Sequence, residues 1–296
     1  MDQQQPATPA FDRTVEDVGN IVEFGHVNVR VPDQQIATLF YVTGLGLTRD
    51  PYLMTSTDNM WINVGTSQFH LPTGPAQVVR GVTGIVVPDS AAVLRRLARV
   101  RAMLGHTEFA FEERGGAVEV TCPWGNRLRI HAPDRHFGPI VLGIPYVELA
   151  APVGSLDAIV RFYQDTLAAV AEVTSDAGGR HARVGAGDTV LLYRETDAPQ
   201  PAYDGNHIQV SLADFSGPHR KLLARGLVTE ESDQHQYRFQ SVIDPASGAT
   251  LVEIEHEVRS MRHPLYARPL VNRNPEQTNR RYAQGREILA WSAYPE

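Results

Sequence analysis

The sequence has one cysteine, no long apolar run and no excess of basic residues. Cys122 is the only cysteine among 296 residues, which excludes an intrachain disulfide and a thiolate metal cluster and agrees with a reducing compartment. No apolar stretch approaches the roughly 20 residues that span a bilayer, and residues 1–17 lack the basic and apolar segments of a secretory signal. The net charge of −7, with acids and bases interspersed, is unlike a nucleic-acid-binding surface. We therefore expect a cytoplasmic protein that binds small molecules, with no nucleic-acid and no membrane partner.

A strand-like phrase occurs four times along the chain. It reads HVNVRVPD from His26, VTGIVVPD from Val82, YVELAAPV from Tyr146 and HIQVSLAD from His207, and these starts lie 56, 64 and 61 residues apart. A repeat of this length with alternating apolar residues indicates tandem α+β modules. A helical pattern and shorter strand patterns follow each phrase, so each module is predicted to be βαβββ. One such module cannot bury its sheet face alone, and we expect the modules to pair into two open barrels.

These patterns predict four parts of the chain. Residues 1–20 form an N-terminal arm, 21–135 contain modules one and two, 136–258 contain modules three and four, and 259–296 form a basic C-terminal tail. The tail has to pack either on the modules or on a second subunit. Its length is our reason to expect a homodimer.

Two helix endings and one turn connect the modules with a known family. The first module has FYVTGLGL at 40–47, the third has RFYQDTLAAV at 161–170, and the second has a Pro-Trp-Gly-Asn turn at 123–126 before its last strand. Over residues 21–258 the chain resembles the vicinal oxygen chelate superfamily, which includes glyoxalase I, bleomycin-resistance proteins and extradiol dioxygenases. The resemblance implies open barrels of βαβββ modules. It also implies one divalent metal, held by the first and last strands of two paired modules, that takes two adjacent oxygens of a small substrate.

The same resemblance identifies candidate metal ligands. The first-strand and last-strand positions of modules one and four hold His26, His70, His207 and Glu253. Modules two and three have Val82, Arg129, Tyr146 and Tyr193 there, which do not form a convincing ligand set. Pairing of module one with module four would bring the four ligands together, and valiolone-type epimerases of the superfamily provide a precedent.

Histidines and a carboxylate suit Fe(II), Mn(II), Co(II), Ni(II) or Zn(II). His70 is either a fourth ligand or an acid/base group. Glu255 lies two residues after Glu253, on the same face of the predicted strand, and is the alternative carboxylate. The turn at 244–248 leaves the register of this last strand open by a residue or two. His235, upstream of that turn, is a second candidate for acid/base catalysis, since extradiol enzymes place an active-site histidine near this point.

We expect a metal-dependent isomerase or epimerase that moves a proton next to a metal-bound oxygen, because four ligands leave two positions for a bidentate substrate. The alternative is an Fe(II) extradiol dioxygenase, which the chain length and the four modules fit. Ser241 replaces the tyrosine that those enzymes carry, however, and Tyr146 stands where their first histidine ligand would be. A third interpretation is a non-catalytic binding or resistance protein, which would not need the metal ligands.

Modules two and three also contain polar strand residues. Arg129 and His131 could line a pocket for an acidic group, although a solvated strand face fits them as well. Cys122 is expected to be a buried small residue. We expect structural roles for Tyr146, Glu148 and Tyr193.

Overall fold

All four modules form a strand, a helix and three further strands, in a computed structural model that describes residues 11–53 and 56–289. Module one contains β1 (Ile21–Asn28), α1 (Gln34–Ala37), β2 (Thr48–Arg49), β3 (Asn59–Val64) and β4 (Ser67–Pro72). Module two contains β5 (Gly81–Val86), α2 (Ser90–Leu104), β6 (Ala110–Arg114), β7 (Ala117–Thr121) and β8 (Arg127–His131). Module three contains β9 (Tyr146–Pro152), α3 (Leu156–Phe162), β10 (Ala171–Asp176), β11 (Gly179–Ala186) and β12 (Thr189–Thr196). Module four contains β13 (His207–Leu212), α4 (Ser216–Ala224), β14 (Val228–Asp233), β15 (Gln236–Ile243) and β16 (Thr250–Ser260).

Four shorter segments complete the helical structure of the described chain. Helices α1 and α3 continue as π-helical segments at Thr38–Gly44 and Tyr163–Leu167, and 3₁₀ turns lie at Arg13–Glu16 and Arg135–Phe137. Helix α1 begins after Asp33, whose carboxylate accepts hydrogen bonds from the backbone N–H groups of Gln35 and Ile36. No helix within the described ranges is long and apolar enough to cross a bilayer.

The strands form two eight-stranded sheets, each made of two modules. Sheet 1 has the order β14-β15-β16-β13-β1-β4-β3-β2, and sheet 2 has the order β10-β11-β12-β9-β5-β8-β7-β6. Sheet 1 therefore joins module one to module four, and sheet 2 joins module two to module three. In each sheet the two modules meet through antiparallel first strands, β1 beside β13 and β5 beside β9. The predicted pairing of modules one and four is confirmed.

Alternation along the strands separates an inner face of sheet 1, which carries His26, from an outer face that packs against helices. Ile208, Val210 and Leu212 of β13 are buried on the outer face. Aromatic contacts fix the helices there: Tyr41 lies 5.3 Å from Phe69, and Phe162 lies 6.0 Å from Phe239, between ring centroids. The apolar half of each strand thus forms the core, and the polar half remains available for the inner face.

The C-terminal tail packs on module one of the same chain. Arg268 forms an ion pair of 2.6 Å with Asp50, whose side chain is fully buried. Asn63 Nδ2 donates to the carbonyl of Val271 at 2.9 Å, and Asn272 exchanges hydrogen bonds with both backbone groups of Gly65. The described residues 261–289 of the tail therefore pack on the modules of their own chain, which is one of the two places that we considered.

Close contact between β5 and β9 requires glycine at position 81. A Cβ atom there would lie 1.7 Å from the carbonyl oxygen of Glu148, so Gly81→Ala has to push the two central strands of sheet 2 apart. We expect this variant to lower the melting temperature by about 5 °C or more. At Gly105 the nearest atom to an added Cβ is 3.4 Å away, an ordinary contact. Gly105→Ala should therefore melt within about 2 °C of the wild type in circular dichroism, and equal melting of both variants would contradict this account of the β5–β9 contact.

Candidate metal centre

Three histidines from three adjacent strands converge on the inner face of sheet 1. His26 lies on β1, His70 on β4 and His207 on β13, and one ring nitrogen of each lies within 4.8 Å of the others. The His26 ring centroid is 5.7 Å from that of His70 and 5.6 Å from that of His207. Three of the four predicted ligands are thus together, in a geometry that can hold a divalent cation.

A β-bulge at Gly25 sets the direction of His26. Strand β1 pairs with β13 through Phe24 opposite Val210 and His26 opposite Gln209, so Gly25 is an extra residue on β1. A Cβ atom at Gly25 would lie 1.6 Å from the Gln209 amide oxygen. Glycine therefore allows the bulge, and the bulge keeps His26 on the same face as His207.

The hydrogen bonds of the three imidazoles differ. Within the described chain, the Nε2 atoms of His26 and His207 are buried and have no hydrogen-bond partner. His70 is paired at both nitrogens: Asn28 Nδ2 donates to Nδ1 at 2.6 Å, and Nε2–H donates to Asn59 Oδ1 at 2.8 Å. An unpaired buried polar atom costs about 1–3 kcal/mol. A cation bound between the rings would give both unpaired nitrogens a partner, so these residues fit a metal.

Burial favours the neutral form of His26 and His70, the form that a metal requires. It lowers the pKa of His26 well below its ordinary value. Burial, followed by the proximity of His207, lowers the pKa of His70 to about 3. Trp61 stacks on His70 with ring centroids 3.8 Å apart and contacts His26 edge-on at 5.0 Å. The indole of Trp61 thus excludes water from one side of the three histidines.

Strand register identifies Glu257, and not Glu253, as the carboxylate beside the histidines. On β4 the residue opposite His26 is Gln68, and the clustered histidine is two residues further on, at position 70. On β16 the residue opposite His207 is Glu255, and the residue two positions further on is Glu257. Its Oε2 lies 3.5 Å from His207 Nε2. The two modules are therefore equivalent at these positions.

Glu253 does not join the histidine cluster. Its carboxylate accepts a hydrogen bond of 3.0 Å from Gln240, and it lines a separate cavity with Arg80 and Ala150. The expectation that Glu253 converges with the histidines is not met, because the position equivalent to His70 in module four lies 50 residues after His207, whereas His70 lies 44 residues after His26. The alternative carboxylate, Glu255, lies closer, with Oε1 at 3.6 Å from His207 Nδ1.

Two arginines hold Glu257 in its ionised form. Arg238 lies 2.7 Å from one carboxylate oxygen and Arg259 lies 2.6 Å from the other. Burial by itself raises the pKa of this carboxyl, but the polar contact with His207 and the charge of Arg259 lower it further than burial raises it. The same Arg238 also bonds Glu255 at 2.6 Å. Neither arginine was among the sequence-based candidates. Arg238 is connected to Glu257 only by the β15–β16 register, and Arg259 lies two residues after Glu257 on β16.

The equivalent positions of sheet 2 hold no comparable set. Strand pairing makes Val82, Arg129 and Tyr146 the equivalents of His26, His70 and His207. A Cβ atom on Gly84, the equivalent of Asn28, would lie 2.4 Å from the Tyr146 ring, and the Tyr146 hydroxyl is 2.9 Å from His131 Nε2. Tyr146 thus fills the space that the Asn28 side chain has in sheet 1.

The remaining candidates lie outside the cluster. His235 is in the turn between β14 and β15, where its ring contacts Gln234 at 3.3 Å. Tyr193 is fully buried on the outer face, and Glu148 pairs with Arg194 at 3.0 Å. Cys122 is fully buried, as expected.

Comparisons with known proteins support the fold. Neither a family model nor a curated protein matches the sequence. Glyoxalase I from Zea mays superposes with a TM-score of 0.53 at 13% identity, over 80% of this chain and 92% of that one. A protein of Bacillus subtilis subsp. subtilis str. 168, provisionally assigned as a dioxygenase, superposes with a TM-score of 0.53 at 17% identity, over 83% and 87%. The chain thus has the predicted fold of the vicinal oxygen chelate superfamily.

Buried imidazoles make the metal-free protein less stable in acid. Burial lowers the pKa of His70 to about 3 and that of His256, on the outer face of β16, to about 4, whereas an imidazole in an unfolded chain has a pKa of about 6.5. The unfolded chain therefore takes up protons that the folded chain excludes, and the free energy of unfolding falls as the pH drops from about 6.5 to about 4. Urea unfolding of chelator-treated protein between pH 7 and pH 4 measures this loss.

His70→Asn should make the fall shallower, by about 2–3 kcal/mol at pH 4. The matched control is His106→Asn, at an exposed histidine, which should keep the wild-type slope. An unchanged slope in His70→Asn would contradict the burial argument.

Proposed function

We propose that this protein is a divalent-metal-dependent enzyme that binds a small substrate through two adjacent oxygens. The proposed ligands are His26, His70, His207 and Glu257. The observation that carries the proposal is the convergence of His26, His70 and His207, whose ring nitrogens lie within 4.8 Å of one another. The buried Nε2 of His26 has no hydrogen-bond partner among the described residues. Glu257 supplies negative charge at the position that strand register makes equivalent to His70.

Neighbouring side chains support each proposed ligand. Glu255 lies beside the Nδ1 edge of His207, an arrangement that favours the tautomer with a free Nε2. Asn28 and Asn59 orient the ring of His70, and one of these two hydrogen bonds has to break before a ring nitrogen of His70 can bind the cation. Arg238 and Arg259 hold Glu257. Because such partners orient ligands and reduce their freedom, the site is organised before a cation binds.

Proton transfer is the reaction that we favour. A bound divalent cation would polarise a substrate oxygen and thereby acidify the neighbouring C–H group. Amide and hydroxyl side chains lie around the cluster: Asn28 and Asn59 bond His70, and Gln209, opposite His26, bonds Ser211. Polar groups of this kind suit a hydroxylated carbonyl compound. Glu255, the carboxylate next to His207, is our candidate for the group that takes the proton, and His70 is the alternative.

A second candidate function follows from the hydrogen bonds of His70. Because both of its nitrogens are already paired, the ligand set can also be His26, His207 and Glu257 alone. Two histidines and one carboxylate are the set of non-haem Fe(II) oxygenases, and they leave three positions for a substrate and O₂. An oxygenase is therefore the alternative to the isomerase or epimerase.

Metal content tests the proposed ligands. Protein purified anaerobically without chelators should contain close to one divalent metal per chain by elemental mass spectrometry. His26→Ala, His207→Ala and Glu257→Gln should each lose most of it, because each removes a donor that the site cannot replace. Glu253→Gln and Tyr146→Phe are the matched controls and should keep it. Absence of metal even after reconstitution of the wild type would leave a non-catalytic binding protein, and loss of metal in Glu253→Gln alone would restore Glu253 as the ligand.

Isotope exchange separates the two reactions. With a panel of α-hydroxy ketones and aldehydes in D₂O, the loaded wild-type protein should replace the C–H hydrogen next to the carbonyl by deuterium, seen by NMR, without consuming O₂. His26→Ala should abolish the exchange. Glu255→Gln should slow it by about 100-fold or more while keeping the metal, and His70→Ala should do so only if His70 carries the proton. Iron in the purified protein, with O₂ uptake on catechols and no exchange, would support the oxygenase instead.

A further inference from the structure

A buried chain of hydrogen bonds lies directly behind Glu257, on the outer face of sheet 1. It contains His256 of β16, Tyr163 at the end of α3 and Tyr193 of β12 in sheet 2, and the side chains of all three are fully buried. The hydroxyl of Tyr163 lies 2.7 Å from His256 Nε2 and also contacts the hydroxyl of Tyr193. The network therefore joins module three to the strand that carries Glu257.

The proton positions in this network have one consistent arrangement. His256 Nδ1 lies 2.9 Å from the carbonyl of Ile254, which can only accept, so Nδ1 carries the hydrogen. Nε2 then accepts from the Tyr163 hydroxyl, and Tyr163 accepts from the Tyr193 hydroxyl. Every polar atom in the series is satisfied, which is the condition for a buried network to be stable and rigid.

The network fixes β16 at His256, the residue between the two glutamates that project from the inner face. His256 lies between Glu255 and Glu257 in the strand, and its ring also bonds the carbonyl of Ile254. Phe239 of β15 stacks on the same ring at 4.4 Å, with the planes 10° apart. Because successive side chains of a strand point to opposite faces, fixing His256 from behind fixes the positions from which Glu255 and Glu257 project.

We propose that Tyr163 and Tyr193 of module three are positioning residues that hold Glu257 in its metal-binding geometry through His256. This inference rests on the proposed metal site. It gives module three a role outside sheet 2. Module three supports the carboxylate from the side opposite the metal, as an outer hydrogen-bond partner does for a ligand.

Module one provides an internal comparison for the proposal. Tyr41 follows Phe40 as Tyr163 follows Phe162, and Phe69 lies between Gln68 and His70 as His256 lies between the two glutamates. Tyr41 is also buried, and its ring centroid is 5.3 Å from that of Phe69. Phe69 offers no polar atom, so the contact behind His70 is apolar. The hydrogen-bonded support is thus particular to the strand of Glu257.

Cobalt binding tests the proposal without any substrate. Metal-free wild type, Tyr163→Phe and Tyr41→Phe are titrated with Co(II), and the visible absorption bands of the bound ion and competition with a chelating dye are recorded. Tyr163→Phe removes the central hydroxyl and leaves His256 Nε2 unpaired, so we expect Co(II) affinity to fall about 10-fold or more, with a changed absorption spectrum. Tyr41→Phe removes one hydroxyl from an equivalent buried site and should match the wild type in both readouts.

The outcomes distinguish this inference from the proposed function. Wild-type binding with the same affinity and spectrum in Tyr163→Phe would overturn the positioning role and leave the metal site intact. No Co(II) binding by the wild type would overturn both. Should Tyr163→Phe fail to fold by circular dichroism, Tyr193→Phe is the second variant: it keeps the bond from Tyr163 to His256 and should weaken binding by about 3-fold to 10-fold, and unchanged binding there would also overturn the proposal.

Discussion

The antiparallel contact between β1 and β13 is the constraint on which the rest of the structure depends. It places His26 opposite Gln209 and His207 opposite Asn28, so that rings from the first and the last module lie side by side. The parallel partners β4 and β16 then add His70 and Glu257 from the two flanks. Had neighbouring modules paired instead, each sheet would contain half of this set. One strand contact thus determines whether the proposed metal ligands can meet.

The modules, the helices and the three histidines could be predicted from the sequence, because each depends on local periodicity or on a position repeated in the chain. The carboxylate could not. A spacing like the 44 residues between His26 and His70 points to the region of Glu253, 46 residues after His207, whereas the equivalent position is Glu257, 50 residues after His207. Alternation leaves Glu253, Glu255 and Glu257 on one face, so only pairing partners distinguish them. The contact of Arg238 with Glu257 depends on the same pairing.

The two sheets have the same arrangement of strands but different side chains on their inner faces. In sheet 2 the positions equivalent to the histidines contain Val82, Arg129 and Tyr146, and the Tyr146 ring fills the space above Gly84. Charged residues there pair with one another, as in Arg129 with Glu119 and Arg194 with Glu148. Module three contacts sheet 1 through Tyr163, whose hydroxyl bonds His256 and contacts Tyr193 of sheet 2. In the proposed function, the ligands come from sheet 1 and module three supports them.

Pairing of the first module with the last also has a consequence for synthesis. Modules two and three are neighbours in sequence and can form sheet 2 while the rest of the chain is still being made. Val27 of β1 pairs with Ile208 of β13, 181 residues further on, and contacts of such sequence separation form slowly because a long loop must close first. Until then β1 is an unprotected edge of module one. Modules one and four therefore meet after sheet 2 can form, and β1 has to be kept from pairing with a wrong strand until module four has been made.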